Sequence, residues 1–167
     1  FRSVVPRSAA LAAACGRARS LGVAGTHGKT TTTAMLWSIL EAAGARPSAL
    51  VGADVAALGA AARWTGGEWF VVEVDESDAS HLALPLRGAV LTNVDADHLD
   101  RYGTIEALRA SFVEALVRVD GPVAVCADDV GAASVAAAAR AAGARDLVTY
   151  GLADAARSEE HTSELQS

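Results

Sequence analysis

The 167 residues are 51% hydrophobic but only 5% aromatic, with a net charge of −6 and a pI of about 5.1. That length supports one domain with a core built mainly from Ala, Val and Leu, and an acidic balance without a basic cluster argues against a nucleic-acid surface. Cys15 and Cys126 stand far apart without metal-type spacing, no run approaches the ~20 apolar residues of a membrane span, and no signal peptide is visible, so a cytoplasmic α/β protein is expected.

In chain order, residues 1–10 read as the end of a linker, punctuated by Pro6. The alanine-rich stretch 8–15 predicts a short helix ending at Gly16. SLGVA (20–24) is a short apolar run before Gly25, the pattern of a buried strand. Residues 29–43 carry Met35, Leu36, Ile39 and Leu40 at helical spacing, with Gly44 as the stop. Strand-like runs recur at 49–52, 69–74, 89–93, 122–126 and 146–150, and helical patterns fill 104–119 and 131–142. The strands are apolar throughout rather than alternating, as in sheets covered on both faces. Strand–helix alternation of this kind predicts an α/β fold with a mostly parallel, doubly wound sheet.

The last eleven residues, RSEEHTSELQS (157–167), lack apolar periodicity and look like a translated sequencing-adapter oligonucleotide. They are expected to be an artefact outside the fold, leaving 11–156 as the domain proper, incomplete at its C-terminal side.

The chemistry concentrates after the strands. In GTHGKTTTT (25–33), Gly25 and Gly28 let backbone approach an anion and take φ > 0, and a helix N-terminus follows with free N–H groups and a positive dipole end. Lys29 can reach β/γ-phosphates and the Thr30 hydroxyl can ligate Mg²⁺. The general phosphate-loop pattern has a glycine where this chain has Val23. Four threonines in a row are a poor way to open a helix on propensity alone. Thr30 and Thr31 offer hydroxyls to phosphate and metal, while Thr32 and Thr33 can satisfy backbone groups or pack on the sheet. Acids follow three strands: Glu73, Asp75, Glu76 and Asp78; Asp95, Asp97 and Asp100, with His98 among them; Asp128 and Asp129. In a parallel sheet all would reach one carboxyl edge, where such sheets bind ligands. An acidic rim beside a polyphosphate implies a divalent cation.

GTHGKTTTT (25–33), EVDESDASHL (73–82) and TNVDADHLDRYG (92–103) together resemble the central ATPase domain of the Mur ligases, from about residue 5 to 156. That family form also lacks the first glycine of the general loop, which accounts for Val23. The resemblance implies a P-loop NTPase type of sheet and a ligase using ATP and Mg²⁺ in peptidoglycan precursor synthesis, with UDP-N-acetylmuramate and L-alanine as substrates. It implies that Gly25, Thr26, His27, Gly28, Lys29, Thr30 and Thr31 wrap the phosphates. Thr30 and Glu73 would hold one Mg²⁺, and His98 a second, with Lys29, Glu73 and His98 carrying the catalysis. Asn93 and Asp97 would place His98, and Asp75 and Ser77 would support the substrate side. It further implies domains before and after this one that are missing here. At position 81, where an apolar aromatic is expected, the chain has His81. A tripeptide-recycling ligase of the same family and a non-catalytic P-loop module are the competing readings; Ser77, where the recycling enzyme carries a bulky aromatic, favours the L-alanine reaction.

Overall fold

The computed structural model describes residues 4–77, 80–97 and 99–152. In chain order the elements are α1 (Arg7–Cys15), β1 (Arg19–Ala24), α2 (Lys29–Ala42), β2 (Ser48–Val55), β3 (Ala60–Arg63), β4 (Trp69–Glu73), β5 (Gly88–Leu91), α3 (Leu99–Tyr102), α4 (Ile105–Val117), β6 (Val123–Cys126), α5 (Val130–Ala141) and β7 (Leu147–Tyr150), with a 3-10 turn at Ser80–Leu82. The seven strands form one sheet in the order β3-β2-β4-β1-β5-β6-β7. All neighbours are parallel except β2 and β3, which form an antiparallel hairpin.

Each strand predicted from an apolar run is present, and the expected α/β sheet is mostly parallel with helices on both faces. β1 sits near the middle, with Val23 opposite Glu73 of β4 and Val90 of β5. On one face α2 presses Trp37 against Val51, Leu58 and Val71. On the other, α1, α4 and α5 bury Leu11, Leu108, Phe112, Leu116, Val135 and Ala139 against Phe70, Val72, Leu91, Val123 and Val125. Successive residues of β4 thus serve opposite layers, as the pleat requires.

Two elements went unpredicted. β3 reads AAAR, which has no β-branched or aromatic residue, and only its pairing with β2 makes it a strand. α3 is a single turn tied to α4. Helix α1 begins at Arg7 and buries Leu11 and Cys15. Burial raises the Cys15 thiol pKa, against a smaller lowering by its hydrogen bond with Ser20. No described helix is long and apolar enough to cross a membrane. The tail 157–167 lies outside the described residues.

Candidate nucleotide site

The backbone turns sharply between β1 and α2. Gly25 has φ +131°, and a Cβ there would run into the Thr92 hydroxyl; Gly28, the N-cap of α2, has φ +78°, in the left-handed region. Neither conformation suits a side-chain-bearing residue. The loop after β5 then straps this turn in place. The Asn93 side chain accepts the His27 N–H at 2.7 Å and donates to the His27 carbonyl at 2.9 Å. The Thr92 hydroxyl donates to the same carbonyl at 2.8 Å. The Thr26 N–H meets the Asn93 carbonyl at 3.1 Å, and the Asp95 N–H donates to the Thr26 hydroxyl at 2.9 Å. Thr26 is buried by this strap, whereas His27 and Gly28 face solvent.

Lys29 and Thr30 open α2 beside the end of β4. The Lys29 ammonium lies 3.1 and 2.9 Å from the two carboxylate oxygens of Glu76. The Thr30 hydroxyl donates to Glu73 Oε2 at 2.8 Å, and the Gly52 N–H of β2 donates to that same oxygen, also at 2.8 Å. A Cβ at Gly52 would stand 2.6 Å from Glu73 Oε1, so the glycine makes room for the carboxylate it helps to aim. The Thr33 hydroxyl turns back to the Lys29 carbonyl at 2.8 Å, fully buried against the sheet, while Thr31 is exposed.

The expected acidic rim is smaller than the sequence suggested. Asp129 is the N-cap of α5: its Oδ1 accepts from the Ala132 and Val94 N–H groups at 2.6 and 3.0 Å. Asp128 accepts the Leu152 N–H at 2.7 Å. Both carboxylates serve backbone N–H groups: Asp129 the start of α5, which needs an acceptor, and Asp128 the segment just after β7. Asp75 closes its own turn by accepting the Ser77 N–H at 2.9 Å. Asp95 likewise accepts the Ala96 N–H at 2.7 Å, and Asp97 is exposed. Asp78 and His98 lie outside the described residues, and with them the expected role of Asn93 and Asp97 in placing His98. His81 occupies the aromatic position deep in the core. It is 4% exposed, its ring centroid is 5.4 Å from that of Phe112, and Nε2 is 3.1 Å from the Ser111 hydroxyl. The imidazole packs among core aromatics and bonds to α4 through Nε2.

Among the described residues no three His, Cys, Asp or Glu side chains converge as a metal cage. The Thr30 hydroxyl and Glu73 carboxylate form instead a sparse, hard, all-oxygen pair. That suits Mg²⁺, which keeps several waters and takes its remaining ligands from a substrate phosphate. Sequence reasoning counted Glu76 only as a rim acid and overlooked Gly52 and Thr92. A glycine inside a strand is a signal of close approach that could have found Gly52; the burial of Glu76 has no comparable mark.

A model of the Mur ligase middle domain matches residues 23–167. The UDP-N-acetylmuramate–L-alanine ligase of Nocardioides sp. is 50% identical over 154 residues, covering 91% of this chain and 34% of the relative. The ligase of the same name from Salinispora arenicola is 46% identical over 150 residues, 89% of this chain and 29% of the relative. The chain therefore spans about a third of the length of these curated relatives. Among solved structures, the UDP-N-acetylmuramate:L-alanyl-γ-D-glutamyl-meso-diaminopimelate ligase from Neisseria meningitides superposes with a TM-score of 0.71 at 28% identity, covering 81% of this chain and 46% of that one. The UDP-N-acetylmuramate-alanine ligase from Thermotoga maritima gives 0.67 at 27%, covering 81% and 29%.

Proposed function

Since the chain belongs to the Mur ligase family through its middle domain, we propose that it is the ATP-binding part of a cytoplasmic ligase joining L-alanine to UDP-N-acetylmuramate in peptidoglycan precursor synthesis. The main support from geometry is the 2.8 Å contact between Thr30 on the first turn of α2 and Glu73 at the end of β4, beside Lys29. The support for L-alanine comes from sequence, through the 44–50% identity to relatives bearing that name.

In this reading the turn 25–28, held by Thr92 and Asn93, presents backbone N–H groups and the N-terminal end of α2 to the phosphates of ATP. Lys29 orients the β/γ end and offsets charge on the phosphoryl that moves. Thr30 and Glu73 would hold Mg²⁺, which supplies neutralisation of the phosphate oxygens. Phosphoryl transfer to the acceptor carboxylate makes that carbon an acyl phosphate with release of ADP; the amine of L-alanine then forms the amide as inorganic phosphate leaves. The protein's contribution is placement and electrostatics rather than covalent chemistry.

The test is a graft. Residues 5–152 placed over the matching segment of the Nocardioides ligase should support L-alanine-dependent phosphate release from ATP. Release that answers to the tripeptide and not to L-alanine would favour the recycling reaction instead. ATP binding without release under either amine would leave a non-catalytic module.

A further inference from the structure

Lys29 is the one lysine in the sequence, against thirteen arginines. Both oxygens of Glu76 engage its ammonium, and this carboxylate has no solvent exposure, while the lysine side chain is 13% exposed. The turn that carries Glu76 is itself fastened. The Tyr102 hydroxyl of α3 donates to the Glu76 carbonyl at 2.7 Å, and the Arg101 guanidinium donates to the Ser77 carbonyl at 3.1 Å. A carboxylate buried this completely must keep a counter-charge, because losing it strands an uncompensated anion.

The consequence is a matter of net charge. Lys29 and the N-terminus of α2, worth roughly half a positive charge, face two carboxylates, Glu73 and Glu76. The turn offers donors of the right shape for a polyphosphate but no surplus positive charge. A phosphate loop whose lysine were unopposed would attract the bare anion.

We propose that Glu76 makes polyphosphate binding conditional on a divalent cation: by cancelling Lys29 it keeps metal-free ATP out and admits the cation complex. This rests on the nucleotide reading given above. Glu76 is a positioning residue, since it acts through Lys29 and not on the substrate. Both hydrogen bonds of the Lys29 ammonium go to the one Glu76 carboxylate, and an ammonium has three N–H donors in all.

The experiment compares wild type, Glu76→Gln and Glu76→Asp by titration with ATP in Mg²⁺ and in EDTA. It also uses lysine labelled with ¹³C at Cε, which reports Lys29 alone. Wild type and Glu76→Asp should bind about a hundredfold more weakly in EDTA, and Glu76→Gln within about tenfold of its own Mg²⁺ value, as removing one buried charge at contact distance dictates. The wild-type lysine resonance should move with Mg·ATP and stay fixed with ATP in EDTA. A Glu76→Gln ratio equal to wild type, including a parallel weakening of both titrations, overturns the proposal. So does a wild-type resonance that shifts equally with and without Mg²⁺, a measurement that needs no variant to fold. Failure of wild type to bind Mg·ATP at all removes the nucleotide reading itself, and this proposal with it.

Discussion

Four threonines open α2, and their neighbours differ. Thr30 meets Glu73, Thr33 closes on the Lys29 carbonyl, Thr31 is exposed, and Thr32 is half-buried. The run therefore reflects position along one helical turn more than helix propensity, which the sequence alone could only suggest. The same turn decides what single substitutions do. Lys29→Met strands the Glu76 carboxylate and should cost about 3–5 kcal/mol, the loss typical of a broken buried pair. Lys29→Met with Glu76→Gln should recover most of it, as chemical denaturation of the two variants will show. Gly52→Ala places a methyl against Glu73. It should raise the Mg²⁺ concentration needed for ATP binding severalfold while shifting the unfolding midpoint little, because the crowded atom is the end of a flexible side chain. The phosphate-turn residues were legible because glycine, lysine and threonine at that spacing have few other uses. Glu76 was not legible as the lysine's partner, since the acidic run around it reads as a solvated rim and burial is a property of the packed chain.

At the scale of elements, the predicted strands match because each is a short apolar run, and all but the edge strand β7, which leaves Val148 and Tyr150 exposed, are covered by helices. β3 escaped because AAAR becomes a strand only through the backbone of β2. The loop after β5 is where an element does more than connect. It holds the phosphate turn through Thr92 and Asn93, and through the Val94 N–H it shares the Asp129 carboxylate with α5. Asp129→Ala removes a helix cap and that tie together. It should cost about 1–2 kcal/mol, read as a fall of several degrees in Tm. Asn93→Ala leaves the His27 N–H and one bond to its carbonyl unmet. It should weaken Mg·ATP binding more than it lowers Tm, since His27 is exposed and water can replace the lost bonds. Calorimetry on the two variants separates a corner that holds the fold from a strap that holds the site.

Across the whole molecule, the site draws on residues 25–33, 52, 73–76 and 92–95, all gathered at one end of the central strands. A ligand there ties four segments together and stabilises only the folded state. Mg·ATP at a hundred times its dissociation constant should add about 2.7 kcal/mol, a rise of several degrees in Tm, most of which EDTA removes. The strand order also has a consequence in time. β1 lies between β4 and β5, and its partners are made later: Val23 pairs with Glu73, 50 positions on (73 minus 23). At about 5–20 residues per second, the phosphate turn waits roughly 3–10 s after its own synthesis before β4 reaches it, and longer for the strap of Thr92 and Asn93. During that interval the most recognisable stretch of the sequence has no wall to lean on. Ribosome-held chains ending before β4 should be cut by protease within 25–33, and chains carrying β5 and α4 well clear of the exit tunnel should resist.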